Sequence, residues 1–182
     1  MAYAKANPGK LNFGSAGSGT THHLAGELFK TMTGLELTHV PYKGAGPMMQ
    51  DLLAGQVDLA FDGMATSAPQ IKAGKLKALA VTTKTHSFVV PNVPTMQEAG
   101  LPDYEVTTWY ALWGIKGTPK PALDRMYQET VKALQKPEMK AVWKAQGATA
   151  GGEAPEKFAA LVDAEIVKWA KVVKDAGAKI DN

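Results

Sequence analysis

The strongest constraint in this sequence is a unit used several times in succession: a short apolar strand, a turn of small residues, then a helix. Leu11-Asn12-Phe13 reads as the first strand and runs into Gly14-Ser15-Ala16-Gly17-Ser18-Gly19-Thr20-Thr21. Leu24, Leu28 and Met32 then recur at the spacing of a helix with one apolar face, and Gly34 stops it. Leu35 to Val40 reads as a second strand and Pro41-Tyr42-Lys43-Gly44-Ala45-Gly46 as its loop. Pro47 suits the first turn of a helix through Leu53, capped by Gly55. Val57, Leu59 and Phe61 alternate with Asp58, Ala60 and Asp62, which predicts a third strand. A third helix ends at Gly74, and Leu76 to Val81 reads as a fourth strand. Thr95-Met96-Gln97-Glu98 matches a capping box and predicts a one-turn helix closed by Gly100. Strands alternating with helices favour right-handed crossovers and a mainly parallel sheet, so the fold class is α/β.

The texture changes after an aromatic-rich extended segment, Tyr104 to Ile115. Thr118-Pro119, Pro137 and Pro155 each open a helix, and no strand pattern returns. The last helix places Phe158, Leu161, Val162, Ile166, Trp169, Val172 and Val173 on one face. The expected division is an α/β lobe over 1–107 and a helical portion over 108–182.

Composition removes several classes of function. The 182 residues include no cysteine, so a disulfide scaffold, a thiolate metal site and a thiol nucleophile are all ruled out. The net charge of +3 comes from lysines interleaved with acids, and Arg125 is the single arginine. Nucleic-acid binders gather their basic groups into a stripe and favour the arginine fork, so nucleic acid is not an expected partner. No apolar run approaches the roughly 20 residues of a membrane span, and the first ten residues lack the apolar core of a signal peptide.

In open α/β sheets ligands collect beyond the carboxyl ends of the strands, which makes three loops candidates. In the first, Ser15 to Thr21, glycines permit inward-facing amides, hydroxyls add donors, and the next helix contributes its free N–H groups. Such a loop suits a carboxylate or phosphate; the alternative is a flexible turn with Thr20 or Thr21 as helix cap. Three catalytic or nucleotide motifs fail here. Gly14 and Gly19 have the phosphate-loop spacing, but Thr20 stands where that motif needs lysine. The dinucleotide fingerprint breaks at His22, and neither Ser15 nor Ser18 has the glycine two residues earlier that a nucleophile elbow requires.

Tyr42-Lys43-Gly44 is the second loop, offering a point charge and a hydroxyl; a solvated turn is the alternative. Asp62, directly after the third strand, can accept from a ligand donor or can cap the following helix. His22 and His23 point about 100° apart on a helix, so they do not share a metal. His23 and Glu27 are one helical turn apart and could share a metal, but His39 must then come from another strand. The preferred role for His23 is to shape the anion loop from the first helical turn, with no metal and no cofactor.

With these residues in view the chain resembles the substrate-binding receptors of the tripartite tricarboxylate transporter family, the Bug-type periplasmic solute-binding proteins. The resemblance is carried by Gly14 to Thr20 with His23-Leu24, Val40-Pro41-Tyr42-Lys43-Gly44 and Asp51 to Asp58. It continues through Ala73 to Val81, Val93 to Gly100, Trp109 and Gly117-Thr118-Pro119. It implies a type II periplasmic-binding-protein-like fold in which two lobes close on a small organic carboxylate. It further implies periplasmic location, membrane transporter subunits as partners and no catalysis. Carried onto this sequence, the implied ligand-binding residues are Ser15, Ala16, Gly17, Ser18, Gly19, Thr20, Thr21, His23, Tyr42, Lys43, Gly44 and Asp62. Family members carry a signal peptide and a further segment ahead of the position of Asn7-Pro8. The expectation is therefore a truncated receptor: one lobe plus the helices of an incomplete second lobe, with weakened binding. Uncovered apolar surface around Tyr104 to Trp113 and on the last helix would favour a homodimer or strand-exchanged dimer. The alternative from another class is a small phosphate- or acyl-transfer enzyme using the Gly14–Thr21 loop.

Overall fold

The computed structural model describes residues 1–178. A short helix α1 (Ala2–Ala6) leads into strand β1 (Leu11–Ser15), followed by helix α2 (Thr21–Thr33), strand β2 (Leu37–Pro41) and helix α3 (Ala45–Leu53). Strand β3 (Leu59–Ala60) and helix α4 (Met64–Lys72) complete the α/β part. Three helices follow: α5 (Lys120–Gln135), α6 (Pro137–Ala145) and α7 (Pro155–Ala176). The sheet order is β2-β1-β3, all parallel, with Phe13 opposite His39 and Ser15 opposite Pro41. Each connection is a helix, as a parallel sheet demands.

Both faces of β1 are covered, which explains its lack of polar alternation. Phe13 is fully buried on one face against α2. Gly26 gives the ring its room, since a Cβ there would stand 2.2 Å from a Phe13 ring carbon. Full burial of one such side chain contributes about 1.5–3 kcal/mol. On the opposite face Gly14 packs against Met48 of α3 and Val57. A second cluster joins Ala25, Met96, Tyr104 and Val106, with Phe29, Phe61 and Trp169 packed on it. The Tyr104 hydroxyl donates to the Ala25 carbonyl at 2.8 Å, and its burial pushes the phenol pKa far up, so it stays a donor at any ordinary pH.

Three local expectations change. Leu76 to Val81 does not form a strand: only Val81 is bridged, to Thr95, with its N–H given to Pro94 and its carbonyl accepting from Met96. An apolar run signals burial but not a ladder partner. Around Thr95 the chain makes turns instead of a helix, yet the capping box itself is present. The Thr95 N–H donates to Glu98 at 2.8 Å and the Glu98 N–H donates back to the Thr95 hydroxyl at 3.2 Å. The third strand shrinks to two residues.

The chain divides into two compact units, Met1–Thr108 together with the chain from Val167, and Trp109–Ile166. Helix α7 belongs to both, because Trp169 and the buried Val172 return to the α/β unit. In the second unit Trp109 and Trp113 both pack on Phe158, with ring centroids 5.3 Å apart in each case. Tyr110, Leu112, Trp113 and Ile115 remain exposed.

Candidate functional site

The three loops singled out from the sequence follow the carboxyl ends of β1, β2 and β3, and each runs into a helix. The first two are joined by backbone hydrogen bonds. The Tyr42 N–H donates to the Ser15 carbonyl and the Gly44 N–H to the Ala16 carbonyl, both at 3.1 Å. Gly17 has a left-handed φ of 133°, and a Cβ there would stand 3.3 Å from the Tyr42 carbonyl. Conformation and crowding together call for glycine at this corner.

Side chains beneath the loop hold its shape. The Ser15 hydroxyl, fully buried, accepts from the Gly17 N–H at 3.1 Å and lies 2.6 Å from His39 Nε2. The Thr20 hydroxyl donates to the Gly17 carbonyl at 2.7 Å and caps α2 by accepting from the His23 N–H at 3.4 Å. His23 Nδ1 accepts from the Gly19 N–H at 3.0 Å. The His23 and His39 rings stack, centroids 3.8 Å apart and 6° from parallel, and Phe13 stacks on His39 at 5.0 Å. This follows from parallel register, which sets Phe13 beside His39 on one face of the sheet. The site residues thus separate by depth. Ser15 and His23 lie under the loop as supports; Gly19 is exposed, and Ala16, Gly17, Ser18, Thr20 and Thr21 are half-buried.

His23, His39 and Glu27 do come together, with His23 Nε2 3.7 Å from a Glu27 oxygen. That carboxylate is already gripped by Lys30 Nζ at 2.9 Å to both oxygens. Stacked rings aim their nitrogens along parallel planes instead of at one point, and no group of three acidic or histidine side chains among the described residues suits a metal ion.

In the second loop Lys43 is exposed and Gly44 half-buried. The Tyr42 hydroxyl donates to Asp51 of α3 at 2.7 Å, and this bond to a carboxylate raises the phenol pKa. Tyr42 is thereby fixed toward α3. The Asp62 side chain is buried, with one oxygen accepting from the Thr66 hydroxyl at 2.5 Å. Its other oxygen faces His22 Nδ1 at 3.8 Å across the first turn of α2.

The sequence presents His22 and His39 only as possible metal ligands and gives no sign that Asp51 partners Tyr42. A lone imidazole in an apolar strand is the one local signal that marks His39. Its partner, Ser15, depends on a register that no local pattern encodes.

The comparisons with known proteins agree with one another. The family model described as tripartite tricarboxylate transporter family receptor matches residues 1–178. A Pseudomonas sp. relative, the UPF0065 protein in the tcbD-tcbE intergenic region, is 41% identical over 171 residues, 93% of this chain and 51% of its own length. Among solved structures, an R. palustris protein with adipate superposes with a TM-score of 0.89 at 38% identity, covering 99% of this chain and 60% of that one. The periplasmic binding protein BugD gives 0.86 at 36% identity, covering 99% and 61%. The chain spans about half the length of the curated relative. No described helix is long and apolar enough to cross a membrane. Matched along all of its described residues, the chain belongs to the tripartite tricarboxylate transporter receptor family, whose members bind solutes and are not enzymes.

Proposed function

We propose that this chain supplies one wall of a periplasmic receptor site for a small organic carboxylate, passed on to membrane transporter subunits. The observation that carries the reading is the Ser15–Thr21 loop, a glycine- and hydroxyl-rich turn opening directly into α2 at the carboxyl end of the central strand. The positive end of the α2 dipole favours an anion at that turn, and no lysine stands where a nucleotide phosphate would need one. The adipate held by the R. palustris relative supports a carboxylate over a phosphate. Lys43 adds a cation at the neighbouring strand end, screened by its exposure.

Only part of the ligand's contacts is assigned to the chain, so its affinity is expected to fall well below that of a full-length relative. Titration of isotope-labelled protein with adipate or succinate tests the reading. Amide shifts at Gly17, Gly19 and Thr20 at millimolar ligand are expected; an unmoved loop would refute it. We also assign self-association to the exposed Tyr110–Ile115 segment.

A further inference from the structure

The Ser15–Thr21 loop rests on two titratable rings that respond differently to a proton. His23 Nδ1 accepts from the Gly19 N–H at 3.0 Å, a bond that exists only while that nitrogen carries no hydrogen. His39 Nε2 lies 2.6 Å from the Ser15 hydroxyl, which serves that nitrogen as donor or as acceptor. When His39 is an imidazolium, Ser15 accepts from Nε2–H and turns its own hydrogen to the Gly17 carbonyl, 3.2 Å away. The Gly17 N–H keeps its bond to the same hydroxyl oxygen, so the loop holds its shape. With ring centroids 3.8 Å apart, charge on one ring opposes charge on the other, and the two titrate as a pair. A single proton on the pair therefore belongs to His39, which is half-buried, where His23 is 5% exposed.

The charges around the stack show what that proton can do. Glu27 of α2 lies 3.7 Å from His23 and already holds Lys30 Nζ at 2.9 Å. From β1 come Phe13 and Ser15, both uncharged. Beyond them the Asp62 side chain is buried, Asp51 is bonded to Tyr42, and Lys43 is exposed. A bound carboxylate thus joins a set of loops whose acids outnumber their lysines. A proton on His22 is answered by Asp62, 3.8 Å away, with or without a ligand. One on His39 lies under the loop where the ligand's charge arrives.

We propose that carboxylate binding at the Ser15–Thr21 loop draws one proton from solvent onto His39, and that the imidazolium is the ligand's counter-charge from below. The proposal rests on the carboxylate-receptor reading. By linkage, the factor by which the proton tightens the ligand is the factor by which the ligand tightens the proton. Binding therefore strengthens as pH falls through the His39 midpoint. The gain ends when a second proton reaches His23 and breaks its bond to Gly19.

The test is an NMR titration of the histidine ring signals from about pH 8.5 to about 5.5, with and without saturating adipate. The His39 midpoint is expected to rise by about half a unit, equivalent to adipate held about threefold tighter once the ring is charged. His39→Gln keeps a hydrogen-bonding group toward Ser15 and cannot be charged. Its adipate affinity should vary by less than about 1.5-fold between about pH 8 and 6, where carboxylates stay ionised. A His39 midpoint unmoved or lowered by adipate, while the loop amides respond, would overturn the proposal and leave the receptor reading intact. So would a rise at His22 or His23 in place of His39, or a pH dependence that persists in His39→Gln. If that variant does not fold, the wild-type midpoints decide alone. Gly17, Gly19 and Thr20 amides that ignore adipate at every pH would remove the receptor reading and this proposal together.

Discussion

His39 Nε2 lies 2.6 Å from the buried hydroxyl of Ser15, so strand β2 holds the turn that follows strand β1. Through Ser15 the contact extends to the Gly17 N–H, and through ring stacking to His23 and the Gly19 N–H. Removing the hydroxyl in Ser15→Ala takes away its hydrogen bonds to the half-buried Gly17 N–H and to His39, a loss of about 0.5–1.5 kcal/mol for each bond. His39→Phe keeps the stack and removes the same bond. Urea unfolding of both single variants and the double should show coupling of about 0.5–3 kcal/mol. Additive losses would mean the two residues do not act through each other.

Gly26 is a packing glycine in the interior of α2. In Gly26→Ala the new methyl meets the Phe13 ring at 2.2 to 2.7 Å, and that ring is fully buried between His39 and Phe61. Overpacking costs about 1–3 kcal/mol, against about 1 kcal/mol gained in helix propensity. A net loss of stability is expected, with partial recovery when Phe13→Leu is added. A Gly26→Ala protein with a raised melting temperature would show that the ring yields.

Acid and base should both loosen the 86–98 turn. Nδ1 of His86 lies 3.0 Å from the Pro91 carbonyl and Nε2 3.0 Å from Glu98, two acceptors, so both bonds form together only in the imidazolium form. The Glu98 carboxylate, and then the Pro91 carbonyl, raise the His86 pKa, while His86 and then the Thr95 N–H lower that of Glu98. A raised histidine contributes in full below its ordinary 6.5 and is lost as pH rises through its folded value. A lowered carboxylate contributes above its ordinary 4.5 and is lost as pH falls through its folded value. The pair therefore acts most strongly between these two pH values. NMR titration of His86 in Glu98→Gln should bring its pKa back toward the ordinary value; an unchanged midpoint would exclude the ion pair as the cause.

Tyr110 and Ile115, each 85% exposed, are the most open large apolar side chains of the second unit. Sedimentation at rising concentration should show dimer formation, reduced by Trp113→Ser with Ile115→Ser. A clean monomer at high concentration would end that assignment.

Much of the site is legible in the order of residues. Glycine at 17 and 19, a cap at 20 and an acid after the third strand are local signals, and the loops follow strand ends where the pattern places them. The two imidazoles stacked beneath are not legible in that way, since His23 comes from a helix and His39 from a strand sixteen residues later in the sequence. Alternation in Val57 to Asp62 likewise marks burial without saying that pairing stops at Ala60.

Residue order alone determined the α/β succession, most helix starts and stops, the turn chemistry and the family, because each rests on neighbours within a few positions. Tertiary structure decided which face of Phe13 meets Gly26 and that Ser15 supports the loop from below. It also decided that the Tyr42 hydroxyl turns to Asp51 and that Asp62 lies 3.8 Å from His22 across the first turn of α2. Those outcomes depend on the register of parallel strands and the seating of helices on them. Register arises from pairing between segments far apart in the chain, and local periodicity carries no record of it.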